Sequence, residues 1–207
     1  MERFFSNPSN APRWDANTGI TLLSGPPCCG KTSLLFQFAV NRAAESGRGV
    51  VFICSKGRLE SNPPFLSQGV DPSMSLLQRI QIKHFGLVPL PTIQKRSCQQ
   101  RYGTTRARDL AMVRVLALCY NAIGHANAKL GTLGSCNLLL SDVHQDDTPR
   151  SLFIYQRWID SIYTIRGDGK GSYILQNIGS PETGSKKARK AKYSIALQYL
   201  VLEETSS

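Results

Sequence analysis

Eight consecutive residues near the start of the chain have the types and the spacing that suit the binding of phosphate groups. They match the pattern G-x-x-x-x-G-K-[ST] at every fixed position: Gly25, Pro26, Pro27, Cys28, Cys29, Gly30, Lys31 and Thr32. The two glycines allow a sharp turn and a close approach of the backbone to an anion. Successive backbone N–H groups can then form an anion nest at the start of a helix. The lysine reaches the outer phosphates of a nucleotide, and the threonine hydroxyl ligates Mg²⁺. The sequence therefore predicts a phosphate-binding loop, or P-loop, at residues 25–32.

Cys28 and Cys29 occupy two of the variable positions of the P-loop. A helix N-terminus lowers the pKa of a nearby thiol, so a redox switch is one interpretation of this pair. The alternative, which we favour, is that they are small residues that the loop tolerates. The six cysteines (28, 29, 54, 98, 119 and 136) show no spacing typical of a zinc site, and we predict that they are reduced thiols.

The segments on either side of the P-loop predict the elements that position it. Residues 20–24 form an apolar run typical of a buried strand, and residues 31–45 carry apolar side chains with helical periodicity. Residues 49–54, "GVVFIC", indicate a second buried strand. A strand, a loop, a helix and a strand in this order make a βαβ unit. The sequence thus predicts an α/β domain with a mostly parallel sheet flanked by helices.

Beyond residue 71 the sequence contains a basic segment, a helical segment and several strand-like segments. Residues 72–108 contain no Asp or Glu but carry seven Lys or Arg residues, whereas residues 106–131 are compatible with one long helix. A third buried strand is predicted at 136–142. Beyond it, "IDSIYTIR" and "GSYILQNI" flank "GDGK", which predicts a hairpin, and a final strand is predicted at 193–203. We divide the chain into a polar segment (1–17), one P-loop domain (18–203) with a basic loop (180–192), and a tail (204–207).

Composition narrows the class of protein. A chain of 207 residues that is 41% hydrophobic and 19% charged is typical of a single folded domain. No apolar run approaches the roughly 18 residues that cross a membrane, and the N-terminus lacks the apolar region of a secretory signal. The net charge of +11 favours contact with polyanions, above all nucleic acid. A solvated basic surface is the alternative.

Two classes of P-loop protein fit poorly. A GTPase requires N-K-x-D, which the sequence lacks, and the D-x-x-G match at Asp168 to Gly171 falls in the predicted hairpin turn. A small-molecule kinase usually ends in helices and carries an Arg-rich lid, whereas this chain is predicted to end in antiparallel strands. The kinase stays a distant alternative.

The layout resembles the RecA-like recombination ATPases over most of residues 18–203. The resemblance rests on "GPPCCGKTSLLFQFA", on the strand "VVFICSKG" that follows it, and on the hairpin-rich C-terminal end. It is most similar to the small RecA-family paralogue that partners a SWIM zinc-finger protein in Shu-type recombination-mediator complexes. That family shares "LLF" after the P-loop and a segment like Asp71-Pro72…Leu77…Ile80. The resemblance implies a RecA-like fold, ATP and Mg²⁺ as ligands, and a role in homologous recombination and DNA repair in the nucleus.

The resemblance also implies two acidic groups for ATP hydrolysis, and neither has a clear counterpart here. The catalytic glutamate follows the second strand in a pattern like "YIDTEG", and the matching "FICSKG" places Lys56 at that position. Glu60 is the nearby substitute. A Walker B aspartate is expected within 72–108, which contains no acid. Loss of a segment around residues 92–98 would explain this. Asp142, at the end of the third strand, is either a displaced Walker B residue or, as we favour, a polar strand terminus.

A basic cluster lies near the C-terminus, within the predicted loop. Its members are Lys186, Lys187, Arg189, Lys190 and Lys192. Such a run serves as a nuclear localisation signal, as an arm that contacts the phosphates of single-stranded DNA, or as a solvated loop. Tyr193 is the one adjacent aromatic residue, which argues against base reading by stacking.

Two hypotheses of function follow. The first is a RecA-like ATPase that couples its nucleotide state to DNA or to a protein partner, either a SWIM zinc-finger protein or a recombinase-type subunit. The second is a non-catalytic scaffold subunit whose P-loop binds nucleotide only to stabilise the fold. The intact P-loop supports the first, and Lys56 with the missing Walker B acid supports the second.

Overall fold

The structure, a computed structural model, describes residues 4–5, 19–46, 49–70, 75–85, 104–131, 134–144, 152–178 and 190–206. The strands are β1 (Ile20–Gly25), β2 (Val50–Ser55), β3 (Ile80–Phe85), β4 (Leu138–Val143), β5 (Ser161–Gly167), β6 (Tyr173–Asn177), β7 (Lys190–Ala196) and β8 (Tyr199–Ser206). The helices are α1 (Lys31–Ser46), α2 (Lys56–Ser61), α3 (Thr105–Leu130) and α4 (Leu152–Trp158), and a short 3-10 helix spans Ser75–Arg79.

The described strands form two sheets. Six strands lie in the order β4-β1-β5-β6-β7-β8, and β2 pairs with β3 in a separate sheet. The strands β4, β1 and β5 are parallel, as are β2 and β3, whereas β5 to β8 pair in antiparallel fashion. The α/β fold expected from the sequence, with its parallel strands, flanking helices and antiparallel C-terminal extension, is therefore confirmed.

The strands on either side of α1 lie in different sheets, although the sequence pattern predicts one sheet for both. Helix α1 lies between β1 and β2 in the chain and packs against both sheets, so it connects the two sheets. Leu34 contributes to the core beneath the P-loop, whereas Val40 and Ala43 pack with Ile80 of β3. Strand β3 itself lies inside the basic region 72–108, where no strand was expected. Residues 86–103 of that region lie outside the described part of the chain.

The C-terminal end forms two strands where the sequence predicts a single strand over 193–203. Strands β7 and β8 are joined by Leu197 and Gln198, whose φ angles are 50° and 65°. Two successive positive φ angles are typical of a tight hairpin turn, which Asn and Gly usually supply. Because this turn contains neither, its sequence gives no signal of a reversal.

The basic loop predicted over 180–192 ends before residue 190. Strand β7 begins at Lys190, and Ala191, which the sequence analysis places in the loop, is fully buried. Alternation of buried and exposed residues along β7 explains why a lysine-rich segment can still form a strand. Residues 179–189, which include Lys186, Lys187 and Arg189, lie outside the described residues.

The six-stranded sheet has an apolar core on each face. On the α1 side the core joins the P-loop to β5, β6 and β7 through Leu23, Cys29, Ile165, Leu175 and Tyr193, and it also includes Phe4 and Phe5. On the other side, Ile20, Leu22 and Ile162 pack with Leu116 of α3 and with Ile154 and Tyr155 of α4. Strand β1 is buried on both faces, which explains why the adjacent residues Leu22 and Leu23 are both apolar.

Helix α3 is the long helix that the sequence predicts over 106–131. The Thr104 hydroxyl caps its start by accepting a hydrogen bond from the Ala107 N–H group, and Gly131 follows its end. Leu116 is the only residue of α3 that is fully buried. Among the described residues, no helix combines the length and the apolarity needed to cross a membrane.

Candidate nucleotide site

The P-loop connects the end of β1 to the start of α1, as the sequence predicts. Gly30 has a φ angle of 78°, and a Cβ atom there would lie 2.6 Å from the Cδ1 atom of Ile195. At Gly25, a Cβ atom would lie 2.8 Å from the Cβ atom of Ile165. The first glycine is thus required by its contact with β5, and the second by its backbone conformation. The carbonyl of Gly30 accepts the N–H of Leu34 at 3.0 Å, which begins the helix.

The ammonium group of Lys31 is folded onto the P-loop backbone. Its Nζ atom donates to the carbonyl oxygens of Gly25 at 2.7 Å and of Pro26 at 2.5 Å, and it lies 3.6 Å from the Sγ atom of Cys29. The residue is 9% exposed. A buried cation that donates to backbone carbonyl groups strongly attracts an anion, because burial weakens its screening by water. The loop therefore carries a positive charge where the sequence pattern requires one.

The two P-loop cysteines lie in different environments. Cys28 is exposed and has a φ angle of 60°, whereas Cys29 is fully buried. Burial raises the pKa of the Cys29 thiol, and the charge of Lys31 offsets this only in part. Cys29 therefore stays a protonated thiol, which argues against the redox interpretation at that residue. The five cysteines of the described residues are all free, and Cys98 lies outside them.

Two tyrosines of the antiparallel extension bind the carbonyl groups of these cysteines. The Tyr193 hydroxyl donates to the carbonyl oxygen of Cys29 at 2.7 Å, and the Tyr173 hydroxyl donates to that of Cys28 at 3.3 Å. The two rings stack with their centroids 5.5 Å apart. Burial strongly raises the pKa of Tyr193, so it remains a hydrogen-bond donor. The sequence analysis considers Tyr193 only as a neighbour of the basic loop and misses this contact, which no local pattern reveals.

Asp142 lies on the strand next to the P-loop strand, a position that the sequence alone does not reveal. Strand β4 pairs directly with β1, and the register places Asp142 opposite Ser24. The Tyr155 hydroxyl donates to its Oδ2 atom at 2.8 Å. Burial raises the pKa of Asp142, while the hydrogen bond from Tyr155 and the charge of Lys31 act in the opposite direction. A desolvated carboxyl group beside the P-loop strand is a functional candidate, so the interpretation of Asp142 as a displaced Walker B residue gains support.

His144 completes a polar cluster with Ser24 at this edge of the sheet. Its Nδ1 atom lies 2.7 Å from the Ser24 hydroxyl, and its backbone N–H donates to the Gly25 carbonyl at 3.2 Å. The side chain is 4% exposed, and its Nε2 atom has no hydrogen-bond partner among the described residues. Burial lowers the pKa of His144, so the ring is neutral at pH 7. The sequence analysis did not single out His144, because its proximity to the P-loop depends on the β1–β4 pairing.

The remaining candidates for metal binding and hydrolysis, Thr32 and Glu60, do not belong to the cluster of Ser24, Asp142 and His144. Thr32 is in the first turn of α1 and is half-buried. Glu60 is exposed in α2, which follows β2 of the other sheet. Lys56 is the first residue of α2, so no acid follows β2 directly. Within the part of the chain that is described, no group of three His, Cys, Asp or Glu residues could hold a metal ion by itself.

Of the five basic residues proposed to contact nucleic acid, two are described. Lys190 is exposed at the start of β7. The Nζ atom of Lys192 lies 3.0 Å from Asp168 and 3.5 Å from Glu203. Asp168 also accepts the N–H groups of Lys170 and Ser172, which explains the D-x-x-G match as part of a hairpin turn. Lys192 is thus engaged by two carboxylates and is a weaker candidate for phosphate contact than Lys190.

Comparison with known proteins finds similarity in structure at low sequence identity. No protein-family model matches this sequence, and no curated protein does so either. Among solved structures, a KaiC-like protein from the hyperthermophilic archaeon Pyrococcus horikoshii is similar to this chain. The identity is 17%, 90% of each chain is covered, and the TM-score is 0.49. The functional proposal therefore depends on the residues of the site.

The site fits the phosphates of a nucleotide. The described part of the P-loop offers a positive-φ glycine, a buried cation and the first N–H groups of a helix. These features favour a bound anion through hydrogen bonding and through the helix dipole. Thr32 and Asp142 are the oxygen-bearing side chains that would hold Mg²⁺, Asp142 through water, and oxygen ligands are those that Mg²⁺ prefers. Mg²⁺, when bound, supplies positive charge beside the outer phosphates.

Proposed function

We propose that this protein binds ATP with Mg²⁺ at the P-loop and hydrolyses it weakly or not at all. The observation that carries this proposal is the P-loop itself. Its lysine lies buried against the carbonyl groups of Gly25 and Pro26, and a glycine with positive φ precedes the helix. Phosphate oxygens would offer Lys31 charged acceptors, which make stronger hydrogen bonds than neutral carbonyls.

The proposal of weak turnover follows from the acidic groups. Asp142 is desolvated beside the P-loop strand and within electrostatic range of Lys31, which supports a role in holding Mg²⁺. The second acid, which would orient the attacking water, has no comparable candidate among the residues that the structure describes. Lys56 occupies its position in the sequence, and a cation cannot accept a proton from water. Glu60 is exposed and follows a strand of the other sheet.

The wider biological role rests on the resemblance in sequence to RecA-like recombination proteins. We propose that the protein acts in homologous recombination or DNA repair in the nucleus. In that role it would contact single-stranded DNA and associate with a SWIM zinc-finger or recombinase-type subunit. The net charge of +11 and the exposed Lys190 support contact with DNA. Lys186, Lys187 and Arg189 belong to the same proposal, and Lys192 contributes less because of its ion pairs.

A non-catalytic scaffold subunit is the second candidate, and Lys56 favours it. In that case bound nucleotide would stabilise the P-loop and the strands around it without being consumed. A small-molecule kinase is disfavoured because β5 to β8 extend the sheet with antiparallel strands, where that class usually has helices.

The first prediction is that the protein binds ATP without turning it over at an ordinary enzyme rate. Titration with a fluorescent ATP analogue in the presence of Mg²⁺ should show saturable binding. Phosphate release in the steady state should stay well below about 1 s⁻¹, the low end of ordinary rates. Faster release would contradict the proposal, and Glu60→Gln and Asp142→Asn would then show which acid acts. An absence of saturable binding would refute the assignment of the nucleotide site.

The second prediction is that Asp142→Asn stabilises the free protein. Burial raises the pKa of Asp142, so folding favours the protonated form. Stability is then greatest below the pKa of the unfolded state and falls as the pH rises through the pKa of the folded state. Asparagine carries no charge, so the variant does not lose stability as the pH rises. At neutral pH its free energy of unfolding should exceed that of the unaltered protein by about 0.5–2 kcal/mol, typical of stabilising changes at functional sites. Urea unfolding across pH measures it.

Asp168→Asn is the matched control for this variant. Hydrogen bonds from the Lys170 N–H and from Lys192 lower the pKa of Asp168, so its contribution has the opposite sign. It is present above the pKa of the unfolded state and is lost as the pH falls through the lower pKa of the folded state. Asp168→Asn should therefore destabilise the protein at neutral pH. A loss of stability in Asp142→Asn as well would mean that Asp142 has a structural role.

A further inference from the structure

The outward side of α3 carries an ordered stripe of apolar and basic side chains. Arg106, Leu110, Arg114 and Leu118 are spaced four residues apart, so they follow one another along one face of the helix. All four are exposed, with Leu110 at 50% and Leu118 at 69%. We call these four residues the α3 stripe.

The contacts of α3 with the other described elements lie on the opposite side of the helix. Leu116 is the one buried residue of this helix, and Met112 and Cys119 pack with it against the core that includes Ile154 and Tyr155 of α4. At 100° per residue, Leu116 points well away from the α3 stripe. Leu110 and Leu118 are large exposed apolar side chains on the outward face, with Arg114 between them, so apolar and basic groups alternate along the stripe. Exposed apolar side chains that recur along one face mark interaction sites more often than single exposed residues do.

We propose that the α3 stripe binds an acidic amphipathic helix of a partner protein. In this arrangement apolar side chains of the partner cover Leu110 and Leu118, and Asp or Glu residues lie opposite Arg106 and Arg114. Helix α3 contains four Lys or Arg residues and one Asp, so its charge complements an acidic partner. Regular spacing at every fourth residue is the form in which one helix presents a surface to another.

The same charges disfavour other occupants. Association of two copies through the α3 stripe would place arginines of one chain against those of the other, and the whole chain carries a net charge of +11. Nucleic acid would satisfy the arginines, but its phosphate backbone offers no apolar surface for the leucines, which alternate with them. An acidic helix satisfies both kinds of side chain at once.

The test uses two synthetic peptides of about three heptads, a length at which a designed helix forms readily on a surface. Both carry leucine at two positions of each heptad, and they differ in having glutamate or lysine at the flanking positions. Fluorescence anisotropy with the full chain should show binding of the glutamate peptide only. Leu118→Glu and Arg114→Glu should each weaken that binding about tenfold or more.

Leu197→Glu is the matched control, because Leu197 is 89% exposed at the β7–β8 turn and receives the same change of charge. It should bind the glutamate peptide as the unaltered chain does. Circular dichroism confirms that each variant folds, and Leu118→Ser serves if Leu118→Glu does not. Equal binding of both peptides, binding of neither, or an equal loss in Leu197→Glu would refute the proposal. Two further outcomes would refute the proposal. One is a dimer of this chain that Leu118→Glu dissociates. The other is binding of a single-stranded oligonucleotide that Arg106→Glu and Arg114→Glu abolish, while neither peptide binds.

Discussion

Replacing Lys31 by alanine should weaken the binding of ATP about a hundredfold. The ammonium group of Lys31 is the cation inside the P-loop, where it now bonds to the carbonyl groups of Gly25 and Pro26. With phosphates bound it would make charge-assisted hydrogen bonds. Two such bonds contribute about 3 kcal/mol, which corresponds to about a hundredfold in affinity. Equilibrium titration with a fluorescent ATP analogue measures the change.

Lys83→Ala is the control for Lys31→Ala, since Lys83 is exposed on β3 and its removal lowers the net charge by the same amount. Its affinity for ATP should change less than twofold, because Lys83 is a solvent-screened surface charge on the other sheet. Circular dichroism should show that both variants are folded. Unchanged affinity in Lys31→Ala would mean that the P-loop is not the nucleotide site.

Replacing Leu116 by alanine should destabilise the protein by about 2–5 kcal/mol, the range for a buried leucine reduced to alanine. Leu116 is 3% exposed and is the one fully buried residue of α3, in the core shared with Ile20, Leu22 and Tyr155. Its removal leaves a cavity beside the strand that carries the P-loop. Urea unfolding at fixed pH measures the loss.

Leu118→Ala provides the comparison, because it makes the same chemical change two residues along the same helix. Leu118 is 69% exposed, so its replacement should change stability by no more than about 0.5 kcal/mol. Similar effects of the two substitutions would show that α3 is not anchored through Leu116, and the orientation of the α3 stripe would then be in doubt.

The P-loop could be predicted from sequence because its signals are local. Gly25, Gly30, Lys31 and Thr32 lie within eight residues, and the strand and the helix that flank them have distinct periodicities. The long helix and the β5–β6 hairpin were predictable for the same reason, since a capping residue, a glycine or a run of turn residues marks their ends.

What escaped prediction depends on contacts between distant parts of the chain. Asp142 could be recognised as the end of a strand, but only the pairing of β4 with β1 brings it beside Ser24. The role of His144 follows from the same pairing. The β7–β8 turn was missed because Leu197 and Gln198 adopt positive φ angles that their residue types do not suggest. In each case tertiary packing, not local preference, decides the outcome.

The two tyrosine contacts have a consequence for the directions of the P-loop amides. In a trans peptide the C=O and the N–H point in opposite directions, and none of the described peptide bonds is cis. Where Tyr173 and Tyr193 hold the carbonyl groups of Cys28 and Cys29, they also aim the N–H groups of Cys29 and Gly30 away from the tyrosines. These amides are therefore oriented before any anion arrives, which lowers the entropy lost on binding. The antiparallel strands at the C-terminal end thus act as a rigid template for a loop that lies more than a hundred residues earlier in the chain.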